Sequence, residues 1–327
     1  MRKTNGYIFV LMLLFTITFA GCNQSKNQNI LKTNIVCTIF PQYDWVRQII
    51  GGKIDNFNLT LLLNNRIDLH NYQPSVDDII RISSCDLFIY VGGESDKWVN
   101  DALEQASNKD MIVINLLEIL GNSAKIEEYA EGMQTEKDHE DIHDHDHDAE
   151  YDEHVWLSLK NAVIFCSFFA DTLSSLDAEN AEIYQSNMFS YTGRLTALDA
   201  EYQTVISASP VNTLLFADRF PFRYLVDDYS IDYYAAFTGC SAETEASFET
   251  IIFLAKKLDE LNLNAVMVTE SADQSIARTV IDSTVRKDQK ILVLDSMQYV
   301  TSGDAEKGTT YFSIMEKNLS VLKEALK

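Results

Sequence analysis

The feature that most constrains the fold is a regular alternation of short apolar runs with helical segments, which occurs twice along the chain. The first series begins at Thr33, with β-rich runs such as 34–40 and 57–63, and the second begins after Pro210, with runs such as 213–217 and 265–270. Strands made of continuous apolar residues are typical of parallel sheets that helices cover on both faces. The sequence therefore predicts an α/β protein with two mostly parallel sheets flanked by helices.

A long helical stretch separates the two series. Residues 178–207 contain no proline and a single glycine, and Ser209-Pro210 ends the pattern. This stretch is longer than an ordinary crossover helix, so we predict one backbone helix (177–208) that joins an N-terminal lobe (33–176) to a C-terminal lobe (209–327). Ligands of such sheets bind beyond the carboxyl ends of the strands, which places the expected cleft between the lobes.

The N-terminus has the pattern of an exported lipoprotein. Arg2 and Lys3 precede an apolar run, and Ala20-Gly21-Cys22 closes it. We interpret 1–21 as a signal peptide, Cys22 as the lipidated residue of a segment that resembles the bacterial lipobox, and 22–32 as a polar tether. The alternative is plain secretion, with Cys22 in a disulfide. Both interpretations place the mature domain outside the cytoplasm.

The charge balance excludes one class of partner. Without residues 1–21, 24 basic residues stand against 49 acidic ones, a formal charge of −25, so no nucleic acid is expected to bind. Such a field concentrates cations near the surface at low ionic strength. Four cysteines remain in the mature chain, and the sequence allows either buried thiols or bridges for them: Cys37, Cys85, Cys166 and Cys240.

Five of the six histidines lie between residues 139 and 154. We predict that 122–152 is a disordered insertion, acidic and rich in histidine, within the N-terminal lobe. An acidic loop that merely contains histidines is the alternative. His154 is different, because it directly precedes an apolar run and a helix. The other four histidines are expected to capture metal as auxiliary ligands: His139, His143, His145 and His147.

Other candidate ligands lie at strand ends. His70 falls in the loop after the run that ends at Leu63, and Asp218, Glu270 and Asp295 each follow a strand of the second series. Carboxyl ends of parallel strands line the ligand cleft, and carboxylates are oxygen ligands by chemistry. These residues are therefore candidates for a metal site between the lobes.

Two motifs carry a resemblance to a known family. Residues 68–74 read D-L-H-N-Y-Q-P, similar to a D-P-H-x-Y-x-P segment, and residues 153–157 read E-H-V-W-L, similar to D-P-H-V-W-L. With the insertion before the second motif, the chain from about Thr33 to Lys327 resembles the metal-binding lipoproteins of zinc and manganese ABC importers, of the zinc-uptake type. The resemblance implies His70, His154 and Asp295 as metal ligands.

The third motif departs from the family. Its F-H-D-A-F segment is replaced here by F-A-D-R-F at residues 216–220, which puts Ala217 in the place of a ligand. Alanine cannot bind metal, and zinc prefers four ligands in a tetrahedron. We expect Asp218 to fill the open position, with Glu270 or a water molecule as the alternatives.

The implied function is transport rather than catalysis. The resemblance implies a monomeric receptor, tethered to the membrane by the lipid on Cys22, that captures Zn²⁺, or Mn²⁺, between its lobes and delivers it to the permease of an ABC importer. One alternative is a surface metal-dependent hydrolase, although no H-E-x-x-H motif is present. The other is an adhesin or sensor module whose metal is only structural.

Overall fold

The structure is a computed structural model that describes residues 32–134, 150–241 and 245–327. The predicted signal peptide and Cys22 lie outside the described residues. The same holds for 135–149, which include the four histidines predicted as auxiliary ligands.

The N-terminal sheet has four parallel strands in the order β2-β1-β3-β4. Its strands are β1 (Thr33–Cys37), β2 (Phe57–Leu61), β3 (Leu87–Tyr90) and β4 (Ile112–Asn115). Helices follow the strands as the alternation predicts: α1 (Phe40–Ile50), α2 (Val76–Ser84), α3 (Trp98–Glu104) and α4 (Leu116–Leu120).

Two helices connect the sheets. Helix α5 (Leu159–Leu176) begins at Ser158, whose hydroxyl accepts a hydrogen bond from the backbone N–H of Asn161. Helix α6 (Ala181–Ser207) follows after a short 3₁₀ turn and has 27 residues, about 40 Å at 1.5 Å per residue. The predicted long helix is thereby confirmed.

The C-terminal sheet repeats the parallel arrangement, in the order β6-β5-β7-β8. Its strands are β5 (Thr213–Phe220), β6 (Asp232–Thr238), β7 (Ala265–Thr269) and β8 (Lys290–Leu294), and its helices are α7 (Arg223–Tyr229), α8 (Phe248–Glu260), α9 (Ser275–Asp282), α10 (Ser302–Glu306) and α11 (Tyr311–Ala325). The predicted fold class, two parallel sheets flanked by helices, is confirmed.

One aromatic cluster ties the two lobes together. The ring of Trp45, on α1, lies 5.0 Å from that of Tyr311 and 5.7 Å from that of Phe165. The hydroxyl of Tyr311 donates to the carbonyl of Trp156, and the indole of Trp156 donates to the carbonyl of Ser296. All five residues are buried. A continuous core therefore runs from one lobe to the other.

Part of the predicted disordered insertion is ordered. Residues 122–134, the crossing segment, lie against the C-terminal lobe, where the backbone N–H of Gln134 donates to Ala236 O at 2.9 Å. Ile126 forms an antiparallel bridge with Tyr151, and Lys125 pairs with Asp227. The structure differs here from the expectation for 122–152, because its two ends find backbone and charged partners on the other lobe.

The four cysteines of the described residues are free thiols, three of them buried: Cys37, Cys85, Cys166 and, partly exposed, Cys240. Burial raises the pKa of the Cys37 and Cys166 thiols well above the ordinary value. The helices within the described residues include none with the length and hydropathy needed to cross a bilayer.

Candidate metal centre

His70 is held by the loop that follows β2. The chain forms a 3₁₀ turn at Leu69–Asn71, and the Asp68 carboxylate accepts a hydrogen bond from the His70 backbone N–H at 3.0 Å. The other oxygen of Asp68 lies 2.8 Å from the guanidinium of Arg219, on β5. This turn is therefore fixed both by its own cap and by an ion pair to the C-terminal lobe.

His154 lies just before the 3₁₀ turn Val155–Leu157 and is completely buried. One oxygen of Asp152 accepts from the His154 backbone N–H at 2.8 Å and lies 3.1 Å from its Nδ1. The Trp156 ring lies 5.2 Å from the imidazole. The ring thus has a carboxylate behind it and an aromatic side chain beside it.

The two imidazoles, 84 residues apart in sequence, meet through their Nε2 atoms, which are 3.2 Å apart. Each Nδ1 faces a carboxylate: Asp152 for His154, and Glu153 Oε2, at 3.3 Å, for His70. The Nδ1 of His70 also lies 2.7 Å from the hydroxyl of Ser95, in the loop after β3. An ionised carboxylate only accepts hydrogen bonds, so the proton of each neutral ring belongs on Nδ1.

With both protons on Nδ1, the Nε2 lone pairs of His70 and His154 point at one another. Two lone pairs at 3.2 Å repel unless a cation or a proton lies between them. Two nitrogens bonded to one tetrahedral zinc at about 2.0–2.1 Å are roughly 3.3 Å apart. The separation and the carboxylates behind the rings both match a metal site, in which such outer partners orient the ligands.

Neighbouring charges shift the pKa of His154 and of Glu153. Burial alone would lower the pKa of His154, but the Asp152 carboxylate outweighs it and raises the pKa above the ordinary histidine value. Burial would likewise raise the pKa of Glu153, yet hydrogen bonds from His70 and Ser95 bring it below the usual range. The centre is therefore built to hold positive charge.

The structure places Asp218 differently from the expectation. One oxygen of its carboxylate accepts from both the backbone N–H and the hydroxyl of Thr269, at 2.8 and 2.6 Å, and the other accepts from the Arg219 N–H. Strand β5 has an irregular register between Phe216 and Arg219, and this turns Asp218 towards the end of β7. Ala217, in the place of the family ligand, is buried in the core of the C-terminal lobe.

Glu270 and Asp295 form an acidic pair beyond β7 and β8. Both oxygens of Glu270 accept hydrogen bonds from Ser296, and one of them also accepts from the Gln298 N–H. Burial, and then the charge of Asp295, raise the pKa of Glu270 to about 7. An Asp295 oxygen accepts from the Met297 N–H at 2.8 Å. Neither carboxylate belongs to the grouping of ligand atoms that surrounds the histidines in the described residues.

That grouping contains a residue which the motifs did not indicate. Cys240 joins His70 and His154, and their ligand atoms all lie within 4.8 Å of one another. Cys240 follows β6, at the carboxyl edge of the C-terminal sheet. Its position after an apolar run was a signal available in the sequence, but cysteines in such runs are also typical buried thiols.

The comparisons with known proteins agree with one another. The model of the family described as ZnuA, zinc-uptake complex component A, periplasmic, matches residues 35–325. The zinc-binding lipoprotein AdcA of Streptococcus pneumoniae is 28% identical over 325 residues, which cover 99% of this chain and 61% of AdcA. The high-affinity zinc uptake system protein ZnuA of Bacillus subtilis is 26% identical, with 99% of this chain and 98% of that protein covered.

A solved structure gives the same result. The Zn(II)-bound ZnuA-like domain of S. pneumoniae AdcA superposes with a TM-score of 0.69 at 26% identity, over 90% of this chain and 99% of that domain. The chain therefore spans about three fifths of whole AdcA, and it spans that domain almost completely. Because the family model covers nearly all of the described residues, the resemblance seen in the motifs is confirmed, and the chain belongs to the ZnuA family.

Proposed function

We propose that this protein binds Zn²⁺ between its lobes as cargo and delivers it to the permease of an ABC importer. The observation that carries the proposal is the pair of Nε2 atoms at 3.2 Å, each backed by a carboxylate on Nδ1. Family membership supports it, as do the names of two relatives, a zinc-binding lipoprotein and a zinc uptake system protein. A metal-dependent hydrolase has no comparable support.

His70 and His154 are the proposed nitrogen ligands, and both belong to the N-terminal half of the chain. Asp295 remains the proposed oxygen ligand from the C-terminal lobe, as the family motif implies. Its carboxylate would have to move towards the rings to complete the site, because it lies outside the grouping of ligand atoms. The tetrahedral preference of zinc leaves one further position, for a second group of this lobe or for water.

The proposed cellular setting follows from the N-terminal sequence and from the relatives. We propose that the chain is a monomer anchored outside the cytoplasmic membrane by the lipid on Cys22. AdcA of S. pneumoniae is named a lipoprotein, which supports the anchor. From this position the protein would meet the cation before the permease does. Mn²⁺ is the competing cargo, since nitrogen and carboxylate ligands also accept it.

Zinc titration of the purified mature chain tests the proposal. His70→Ala and His154→Ala should each weaken the tight site by roughly 100-fold or more, since losing a direct ligand should exceed the 10–100-fold loss typical of its outer partners. His145→Ala, which removes a histidine predicted to be auxiliary, should leave the tight site unchanged. If His70→Ala and His154→Ala bound zinc as tightly as the unchanged chain, the proposal would be contradicted.

The histidine-rich stretch has a separate proposed role. Four histidines within 139–147 would bind additional zinc weakly and raise its local concentration near His154. Deleting residues 138–148 should keep one tight site and remove the weaker binding events in a calorimetric titration. An unchanged stoichiometry after the deletion would refute this division of roles.

A further inference from the structure

The thiol of Cys240 differs from the other three thiols in its surroundings. Cys37, Cys85 and Cys166 are buried in the apolar core, whereas Cys240 is partly exposed and lies near the two histidines. Its backbone N–H donates to Glu127 of the crossing segment at 3.4 Å, and the Glu127 carboxylate also lies within hydrogen-bond reach of the thiol. Apolar packing does not account for a cysteine in this position.

A glycine brings this thiol to the histidines. Gly239 immediately precedes Cys240, and a Cβ at Gly239 would lie 2.8 Å from the Cε1 of His154 and 2.9 Å from the carbonyl oxygen of Phe220. Real Cβ atoms do not approach a ring or a carbonyl so closely. Only glycine therefore allows the turn after β6 to pass against the His154 ring, and this close passage places Cys240 beside the paired nitrogens.

The geometry of the three groups suits one ion. The Sγ of Cys240 and one ring nitrogen each of His70 and His154 lie within 4.8 Å of one another. Zinc bonded to sulfur at about 2.3 Å and to nitrogen at about 2.0–2.1 Å holds such atoms roughly 3.3–3.6 Å apart. A shift of about an ångström in the turn after β6 would bring the sulfur into bonding distance, with the two imidazoles unmoved.

We propose that Cys240 fills the position left beside His70, His154 and Asp295 in the binding of the cargo ion and makes the site selective for zinc over manganese. The inference rests on the proposed function and names a ligand that the family motifs do not supply. On binding, the thiol loses its proton to water and the sulfur bonds to the metal. A thiolate favours zinc, whereas Mn²⁺ prefers oxygen donors, so a ligand set that includes sulfur disfavours manganese more strongly than a set of nitrogen and carboxylate ligands alone.

Cobalt provides a direct test, because thiolate bound to Co²⁺ gives a ligand-to-metal charge-transfer band in the near ultraviolet. The reduced full-length mature chain should show this band on titration with Co²⁺, and Cys240→Ser should abolish it. The other three cysteines remain in that variant and serve as internal controls. Thermal unfolding of metal-free Cys240→Ser should match that of the wild type, since the thiol is not part of the core.

Affinities separate failure of this inference from failure of the proposed function. We expect Cys240→Ser to lower zinc affinity roughly 100-fold or more, since losing a direct ligand should exceed the 10–100-fold loss typical of outer partners, while Mn²⁺ affinity changes less than about threefold, which shrinks the zinc preference. Co²⁺ binding that requires His70 but shows no charge-transfer band would overturn the cysteine ligand and leave the receptor intact. Zinc binding that does not require His70 would overturn the receptor itself. If Cys240→Ser lowered the affinities for zinc and manganese equally, the proposed selectivity would be wrong.

Discussion

At the scale of single residues, the site depends on groups that never touch the ion. Asp152 accepts hydrogen bonds from two atoms of His154, its backbone N–H and its Nδ1, so it fixes both the position and the rotation of the ring. Its negative charge also strengthens His154 as a donor to a cation. The adjacent Glu153 faces the Nδ1 of His70, while Asp68 accepts from the His70 backbone N–H. Two consecutive acids thus orient two histidines that are distant in sequence.

The first prediction concerns that charge. Asp152→Asn keeps an acceptor oxygen of the same shape but removes the carboxylate, so the ring stays in place while its basicity falls. We expect zinc affinity to drop roughly 10- to 100-fold, with little change in the fold. Competitive titration against a chelator measures this. Glu118→Gln, which removes an exposed carboxylate on α4, is the matched control, and equal affinities of the two variants would contradict the role of Asp152.

The sequence predicted that the two histidines meet, but not where the other candidate ligands lie, for a physical reason. His70 and His154 each have the acid that holds them two residues earlier in the chain, Asp68 for His70 and Asp152 for His154, so neighbouring residues carry the information. Asp218 was expected from its position after a strand. The irregular register of β5 turns its carboxylate to Thr269, and spacing along a strand does not reveal such a bulge.

Cys240 could not be predicted as a neighbour of the histidines. It comes near them only because β6 lies at the edge of the second sheet and Gly239 allows a close passage. Both facts depend on how the two lobes meet, which is a long-range property. The sequence alone did not distinguish this thiol from the other three cysteines of the mature chain.

At the scale of elements, the crossing segment links the site to the far lobe. The hydroxyl of Tyr224, on α7, accepts from the Lys125 N–H at 2.9 Å and donates to the Asp152 carbonyl at 3.1 Å. The hydroxyl of buried Tyr224 thereby links the two ends of the insertion. Its acidic composition favoured disorder, but the partners that order its ends lie about 70 to 110 residues away in sequence, beyond the reach of local patterns.

The second prediction tests this link. Tyr224→Phe leaves a buried N–H and a buried carbonyl without their partner, which should lower the free energy of unfolding by about 1–3 kcal/mol. Zinc affinity should fall as well, because Asp152 loses an anchor. Urea unfolding and zinc titration measure the two effects. Tyr233→Phe removes a hydroxyl that makes a long contact of 3.5 Å with exposed Glu128 in the same segment, and it should change both quantities little. Equal effects in the two variants would refute the link.

At the scale of the whole molecule, the alternation of strands and helices was enough to predict both sheets and the long helix. Local patterns set those elements, since each needs only its own apolar residues. The way in which the lobes meet was not predictable. It depends on the cluster of Trp45, Trp156 and Tyr311, whose members come from three distant parts of the chain.

The third prediction follows from that shared core. Because Trp45, Phe165 and Tyr311 pack in one continuous interior, the metal-free chain should stay folded and unfold in a single transition. Zinc at 100 times its Kd should stabilise it by about 2.7 kcal/mol and raise Tm by several degrees. Calorimetry with a chelator and then with zinc measures this. Loss of the folded state on chelation would indicate a structural metal and contradict a transport role.

The ion pair between Asp68 and Arg219 links the two lobes across the gap between the sheets. Asp68 belongs to the loop that carries His70, Arg219 belongs to β5 of the other lobe, and their charged ends meet at 2.8 Å with little exposure to solvent. Separating two poorly solvated opposite charges is costly, so the gap between the lobes stays narrow before the ion binds. Loading therefore needs only local shifts of ligand groups such as Asp295, whereas unloading requires the lobes to separate. The expected kinetics are fast binding of the ion and slow spontaneous dissociation, which only a docked transporter would accelerate.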